Sequence, residues 1–315
     1  MTQTENLLTV RALTKSYKEN RVLKGIDFDV RRGEVLCILG PNGAGKTTTI
    51  NILTASLPAD SGEIAFKGRP LCRNPRAYKQ TLGIVPQDIA LYEELSAERN
   101  LRFFASLYGL HGAALSKALT DALEFAGLSE RRHDKVKTFS GGMKRRLNIA
   151  CAVAHRPELV IMDEPTVGID PQSRNHILDS IRRLREDGAT VIYTTHYMEE
   201  VEAISTRIII MDHGAILAEG TKESLKEDIE NEKRIVIQVE QNGAVAEADL
   251  FGIEGVKAVK ITGDTIEIAS LKGIENLDRI IALLCARGEK IRNITSEAAS
   301  LETVFLKLTG RKLRD

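Results

Sequence analysis

The sequence predicts an α/β chain in two parts: a large core of parallel strands and helices, and a small α+β module behind it. Three observations carry this reading. Val35 to Leu39 is an unbroken apolar run, Gly40 to Gly45 is glycine-rich, and Lys46 to Ser56 has helical character, the strand, loop, helix order that opens a parallel core. The rhythm returns as a helix at 142–154, a strand at 159–163, a helix at 171–186 stopped by Gly188, and a strand at 190–195. Behind a charged stretch at 221–232, the order becomes βαββαβ, which is the ferredoxin-like pattern.

Ahead of the core, residues 1 to about 30 alternate apolar and polar, as at Ile26, Phe28 and Val30. That alternation predicts a small antiparallel β layer with one buried face. Segments 97–109 and 113–126 read as helices with no strand between them, giving a helical subdomain over about 88–155 inserted between core strands. Its exposed side is a natural docking surface. The core is expected to close near Gly220, and TKESLKEDIENE at 221–232 reads as a linker or a solvated helix. The domains are therefore placed at 1–222 and 223–315. Within the second, the expectation is a strand at 234–240, a short helix at about 245–251, a hairpin across Gly263-Asp264, a helix at 276–287, a strand at 289–295 and a helix at 300–309. No internal repeat is present, so the chain carries one set of motifs.

Composition excludes several classes. Lysine plus arginine and aspartate plus glutamate number 44 each, so no net field draws the chain to nucleic acid or anionic lipid, and any such binding needs a local patch. No apolar run approaches the length of about 18 residues that a membrane helix needs; Ile208 to Met211 is strand-length. Met1 to Val10 lacks the layout of a secretion signal, so a cytoplasmic chain is expected. Cys37, Cys72, Cys151 and Cys285 are scattered, without metal-ligand or redox spacing.

The strongest motif is Gly40-Pro41-Asn42-Gly43-Ala44-Gly45-Lys46-Thr47, a match to GxxxxGK[ST] between a strand and a helix. It marks a phosphate-binding loop and hence a P-loop NTPase core. Glycines let the backbone N–H groups turn toward phosphate oxygens, the helix start adds its positive dipole end, Lys46 supplies a mobile cation, and the Thr47 hydroxyl suits Mg²⁺. Thr48 continues the loop into the helix. The strand Leu159 to Asp163 then delivers Asp163 and Glu164 at its C-terminal end, where open sheets bind ligands. Asp163 is placed to hold Mg²⁺ through a water, and Glu164 to orient or deprotonate the water that attacks a γ-phosphate. Phe139-Ser140-Gly141-Gly142-Met143 opens a helix bearing Lys144, Arg145 and Arg146, and so sets N–H groups and a serine hydroxyl at a helix N-terminus.

Taken in order, Gly40 to Thr48, Gln87, Ser140 to Gly142, Asp163-Glu164 and His196 resemble the Walker A, Q-loop, signature, Walker B and switch histidine of ABC ATPases, over about residues 5–222. The resemblance implies ATP and Mg²⁺ as ligands and a composite site, in which Ser140 and Gly142 of one protomer reach the γ-phosphate held by Lys46 of another. It also implies that Tyr17 stacks on adenine, Gln87 senses Mg²⁺ and the attacking water, His196 contacts the γ-phosphate, and Asp170 couples two sites. Taken alone, Tyr17 reads more often as a packing aromatic and His196 as a polar strand end; their places in the ordered series favour the functional readings. Met143 departs from the usual signature glutamine and cannot supply its amide bonds; FSGGMKRR and the tail Ser300 to Arg311 resemble the drug-resistance subgroup of ABC exporters. The tail reads equally as an amphipathic helix packing on its own domain.

The resemblance therefore implies an ATP-hydrolysing subunit working as a homodimer, or a heterodimer with a related cassette, beneath a separate membrane permease on the inner face of the cell membrane. The alternative is an ABC ATPase acting on ribosomes or DNA, for which a second cassette, a long coiled coil or a basic patch is expected. A third reading makes the C-terminal domain a ligand-binding regulator.

Overall fold

The computed structural model describes residues 5–227, 232–240, 245–271, 273–297 and 300–310. Two twelve-residue strands, β1 (Asn6–Tyr17) and β2 (Asn20–Arg31), pair antiparallel, and β2 buries alternate residues at Ile26, Phe28 and Val30. β3 (Val35–Leu39) is buried at all five positions, and α1 (Lys46–Leu53) follows its loop. β4 (Ser61–Phe66) returns to β1 and is joined by β5 (Arg69–Pro70), so the antiparallel sheet has the order β2-β1-β4-β5. In α2 (Pro75–Gln80), proline stands in the first turn and Asn74 Oδ1 accepts the Ala77 N–H at 3.1 Å, two features that start helices. β6 (Leu82–Val85) then enters the core.

Helices α3 (Ala97–Leu107), α4 (Gly112–Phe125) and α5 (Gly141–Val153) build the helical subdomain. Its own apolar core includes Leu101, Leu119, Leu123, Val136 and Leu147. The chain returns through β7 (Leu159–Asp163), α6 (Pro171–Glu186), β8 (Thr190–Thr195), α7 (Met198–Ile204), β9 (Arg207–Asp212) and β10 (Ala215–Gly220). The six-stranded sheet runs β10-β9-β3-β8-β7-β6, and all its pairs are parallel except β10 with β9. β7, β8 and β9, like β3, are buried at every position, which is why they read as continuous apolar runs and not as alternating strands.

The described chain divides into two compact units at Thr221 and Lys222. The charged stretch after Gly220 is partly helix, α8 (Lys222–Glu227), with Leu225 buried; its remainder, 228–231, lies outside the described residues, as does Arg311 at the end of the tail. The second unit continues with β11 (Glu232–Val239), α9 (Glu247–Phe251), β12 (Val256–Thr262), β13 (Thr265–Leu271), α10 (Leu277–Ala286), β14 (Ile291–Glu297) and α11 (Leu301–Thr309). Its sheet has the order β12-β13-β11-β14, antiparallel throughout. Ile235, Ile237, Ile266 and Ile268 from the strands pack with Leu250, Ile280 and Leu284 from the helices. The hairpin closes on Gly263 at φ +60°, a conformation that costs glycine little. β14 begins two residues later than the sequence suggests, because Gly288 at φ +80° ends the turn after α10 and Glu289 and Lys290 precede the strand.

One buried ion pair fastens the antiparallel layer to the parallel sheet. Arg207, 5% exposed at the start of β9, donates to Glu34 through Nε at 3.0 Å and Nη2 at 2.6 Å. It also reaches the Asp29 carbonyl on β2 and Glu219 on β10. Removing one partner leaves a buried charge uncompensated, so Arg207→Met is expected to cost about 3–5 kcal/mol. Urea unfolding reads this directly, and Glu34→Gln in the same chain is expected to restore part of the loss.

His155 supplies a pH dependence. Its ring lies flat on Tyr108, with centroids 3.5 Å apart, and its Nε2 meets the Leu82 carbonyl at 3.0 Å. Burial lowers its pKa from 6.5 to about 4, against the opposing pull of that carbonyl. The unfolded chain therefore takes up the proton first, so the stabilising contribution is complete above about pH 6.5 and disappears as pH falls toward 4. Discounted for partial exposure, the change is on the order of 1 kcal/mol. The stability difference between the native chain and His155→Phe is expected to shrink by that amount between pH 7 and pH 5 in urea titrations.

Candidate functional site

Strands β3, β8, β7 and β6 lie side by side and parallel, so their C-terminal ends share one edge, the place where such sheets bind ligands. β3 leads into Gly40–Gly45, β8 into His196, β7 into Glu164 and β6 into Gln87. The Gly40 N–H donates to the Thr195 carbonyl at 3.4 Å, and the Glu164 N–H to the Thr194 carbonyl at 3.2 Å. Both flanking loops are thus tied to the end of β8.

The loop has little spare room. A Cβ on Gly40 would sit 2.3 Å from the Met211 carbonyl oxygen. Gly45 caps α1 at φ +105° and offers no side-chain acceptor, which leaves the first N–H groups of that helix open toward an anion. Serine or aspartate oxygens at Ser96, Ser140, Asp170 and Ser300 cap α3, α5, α6 and α11 instead. Pro41 and Ala44 are buried beneath the loop, Asn42, Gly43 and Thr47 are exposed, and Thr48 is half-buried.

Lys46, expected to supply a mobile cation, is held at this edge by its own loop and by Glu164. It is 5% exposed, its ammonium donates to the carbonyls of Gly40 at 2.8 Å and Pro41 at 3.1 Å, and it pairs with Glu164 Oε1 at 3.0 Å. A buried ammonium needs acceptors for its protons and a counter-charge, and this edge supplies both. The other Glu164 oxygen lies 3.3 Å from His196 Nδ1. That approach lacks hydrogen-bond alignment, and the buried Nδ1 has no hydrogen-bond partner. Glu164 itself takes φ +44°, a left-handed conformation that costs a non-glycine residue energy. Its N–H is held by Thr194 Oγ1 at 3.0 Å, and the same hydroxyl donates to Asp163 Oδ1 at 2.6 Å. Sequence reasoning missed Thr194, since a threonine in a β-strand is ordinary and nothing in the spacing marks this one.

Asp163 and the Thr47 hydroxyl are oxygen donors suited to Mg²⁺ that arrives with phosphates and keeps several waters. An all-protein cage is not built here: among the described residues no group of three or more His, Cys, Asp or Glu could hold a metal. The Gln87 side chain is exposed, but its backbone is anchored. Arg145, 4% exposed on α5, donates to the Pro86 carbonyl at 2.8 Å and to the Gln87 carbonyl. Burial lowers the Arg145 pKa, with Asp88 opposing. Asn148 Oδ1 accepts the Ala90 N–H at 3.3 Å. The sequence showed Arg145 only as one charge among several on that helix.

Other candidate residues stand apart. Tyr17, at the end of β1, is 47% exposed with Lys15 Nζ 5.9 Å from its ring centre. Among the described residues, no hydrogen bond or ion pair joins Ser140, Gly141 or Gly142 to the loop from Gly40 to Thr48. Ser140 Oγ accepts the Met143 N–H at 3.2 Å. Gly142 instead abuts the start of α6, where Asp170 Oδ1 accepts the Ser173 N–H at 2.9 Å. Met143 and Phe139 pack in the apolar core of the helical subdomain, so Met143 acts there by packing.

Comparison with known proteins agrees with this arrangement. A family model described as "ABC transporter" matches residues 23–167. The linearmycin resistance ATP-binding protein LnrL of Bacillus subtilis (strain 168) is 44% identical over 98% of this chain and 100% of its own. The daunorubicin resistance ATP-binding protein DrrA3 of Streptomyces coeruleorubidus is 35% identical over 97% and 96%. Among solved structures, the dimeric post-hydrolysis state of the ATP-binding cassette MJ0796 bound to ADP and Pi superposes with TM-score 0.62 at 26% identity, covering 68% of this chain and 98% of that one.

The packing at Gly142 yields a prediction. A Cβ there would fall 2.0 Å from Ser173 Oγ, so Gly142→Ala is expected to destabilise by about 1–3 kcal/mol through overpacking. Adding Ser173→Gly is expected to relieve most of it; urea unfolding of the single and double variants makes the comparison.

Proposed function

The chain belongs to the family of ABC transporter ATP-binding proteins, and from that premise we propose how its residues bind ATP, hydrolyse it and pass the effect to a permease. It is the ATP-binding and ATP-hydrolysing subunit of an exporter of that family. One observation carries the assignment of roles: the phosphate-loop lysine is ion-paired with the candidate base, Lys46 with Glu164 at 3.0 Å, while His196 beside them keeps an unpartnered buried nitrogen.

In this reading the triphosphate lies over Gly40–Thr48, where the open N–H groups of α1 and the Lys46 ammonium meet its oxygens. Phosphate competes with Glu164 for Lys46. Glu164, released from that pair, orients the attacking water and accepts its proton, and His196 presents its ring nitrogen to the γ-phosphate. Thr47, Asp163 and Gln87 are the residues to hold Mg²⁺, which neutralises phosphate charge when bound. Tyr17, half-exposed, is available to stack on adenine.

The separation of Ser140–Gly142 from the phosphate loop supports a composite site completed by a second copy or a related cassette, and the dimeric form of the MJ0796 cassette is consistent with it. No helix among the described residues is long and apolar enough to cross a membrane; family membership supports a permease as the separate membrane partner. A groove of about 670 Å³, lined by Arg76, Lys79, Phe104, Leu107 and Tyr108 between α2 and α3, lies next to the anchored Gln87 segment. With exposed Tyr92, Phe103 and Leu107 nearby, it suits a cytoplasmic helix of the permease, which supports a position for the chain at the inner face of the membrane. The resistance relatives support drug-like or other hydrophobic cargo. Residues 223–315 form an accessory domain in this scheme. Nucleic acid is not the favoured partner, given the charge balance.

Three experiments test the assignment. Glu164→Gln is expected to bind ATP normally but lose steady-state hydrolysis, and Lys46→Ala to lose about 10²–10³ in rate, roughly 3–4 kcal/mol of barrier; hydrolysis at the native rate in Glu164→Gln would remove Glu164 as the base. For the composite site, co-expressing Lys46→Ala with Ser140→Phe chains is expected to restore ATPase activity that neither has alone. No recovery in purified mixed dimers would point to sites complete within one chain. Purifying Glu164→Gln from detergent-solubilised membranes with ATP is expected to bring a multi-span permease with it; ribosomes or DNA in its place would overturn the transporter assignment.

A further inference from the structure

Glu200, in the first turn of α7, is 0% exposed and has no part in the chemistry described above. Its carboxylate gathers three hydroxyl donors: Thr166 Oγ1 to Oε1 at 2.6 Å, and Tyr193 Oη at 2.8 Å and Thr195 Oγ1 at 2.7 Å to Oε2. Arg174 Nε approaches Oε1 to 3.5 Å. A carboxylate buried this completely is tolerated only when its oxygens are satisfied. Both carboxylate oxygens are thus hydrogen-bonded, and neighbouring hydroxyls polarise one another in such networks. Burial, together with the charge of Glu200, raises the Tyr193 pKa well above its usual value, so the phenol stays a donor.

Every partner of Glu200 sits on an element that carries a site residue. Thr166 lies two residues after Glu164, and Thr195 immediately precedes His196. Arg174 is in the first turn of α6, the helix capped by Asp170. The Thr195 hydroxyl also accepts the Tyr197 N–H at 2.9 Å, so the backbone on both sides of His196 is fixed. Tyr197 in turn packs on the His196 ring at 4.2 Å between centroids and carries the Arg174 guanidinium 4.8 Å from its own.

We propose that Glu200 is a positioning residue for ATP hydrolysis, one that fixes the segments after Glu164 and around His196 against each other so that both side chains meet the γ-phosphate together. The inference rests on Glu164 and His196 being the reacting pair. It assigns Glu200 no contact with nucleotide. Loss of the network therefore lowers turnover and leaves ATP binding, which depends on the Gly40–Thr48 loop, nearly unchanged.

The test is a kinetic cycle on the full chain, measuring ATP affinity, kcat and thermal stability for Glu200→Gln, His196→Ala and the double variant. Expected are a kcat at least tenfold lower in folded Glu200→Gln, ATP affinity within threefold of native, and little further loss on adding His196→Ala, because residues acting as a unit are not additive. A kcat within twofold of native, equal losses in affinity and turnover, or losses that multiply in full would overturn the proposal. Should Glu200→Gln fail to fold, Thr166→Val and Thr195→Val each remove one donor; native kcat in both would be equally decisive against it. Controls separate the two levels. Native turnover in Glu164→Gln and His196→Ala would refute the reacting pair itself, whereas impaired controls beside an unimpaired Glu200→Gln would refute the role of Glu200 alone.

Discussion

The position of β8 between β3 and β7 is the constraint on which the site depends. Parallel pairing fixes Leu39 opposite Thr195 and Asp163 opposite Thr194, so three strands end nearly flush. The backbone of β8 then caps the first N–H groups of the loops leaving both neighbours, at Gly40 and at Glu164. A one-residue slip would turn every side chain of β8 to the opposite face. Thr194 would lose Asp163, Thr195 would lose Glu200, and His196 would leave Glu164. The apolar burial of the sheet is thus what sets the polar geometry at its edge.

Three of the buried charges in this unit contrast in how they are satisfied. Arg207 and Glu34 make two close hydrogen bonds with further acceptors around the guanidinium, a satisfied pair that joins two sheets. Glu200 is satisfied chiefly by hydroxyls, which hold it without a bidentate partner. Lys46 and Glu164 differ, because the lysine is shared between loop carbonyls and the carboxylate, and His196 beside them keeps an unpartnered nitrogen. An incompletely satisfied group is costly in a low-dielectric site, and phosphate oxygens are acceptors able to relieve it. Strain at Glu164, at φ +44°, falls at the same place.

The helical subdomain is linked to the nucleotide edge through α5 by two separate contacts. Arg145 and Asn148 hold the backbone around Gln87, and Gly142 abuts the α6 start capped by Asp170. Both linkages leave one helix that begins at Ser140. A movement of α5 therefore bears on the Gln87 segment and on α6 at once, which suits the proposed relay of nucleotide state to a permease.

The sequence by itself determined the kinds of the elements with strong local signals, while α2, α7, β4 to β6 and β10 went unread. Buried parallel strands such as Leu159–Asp163 announce themselves as apolar runs, helix starts at Ser140 and Asp170 carry their own caps, and the glycines of Gly40–Gly45 mark a backbone that side chains would obstruct. These are local properties, set within a few residues by periodicity, capping and allowed dihedral angles. The same ordered motifs made family and ATPase activity legible. Tertiary structure alone decided which strands are neighbours, that Lys46 is buried against Glu164, that Thr194 bridges Asp163 and the Glu164 N–H, and that Glu200 joins Thr166 to Thr195. Those partners are separated by up to 118 positions in the case of Lys46 and Glu164, and no local preference of lysine, threonine or glutamate specifies a partner so distant. Only the register of the open, mostly parallel sheet brings them within hydrogen-bonding reach.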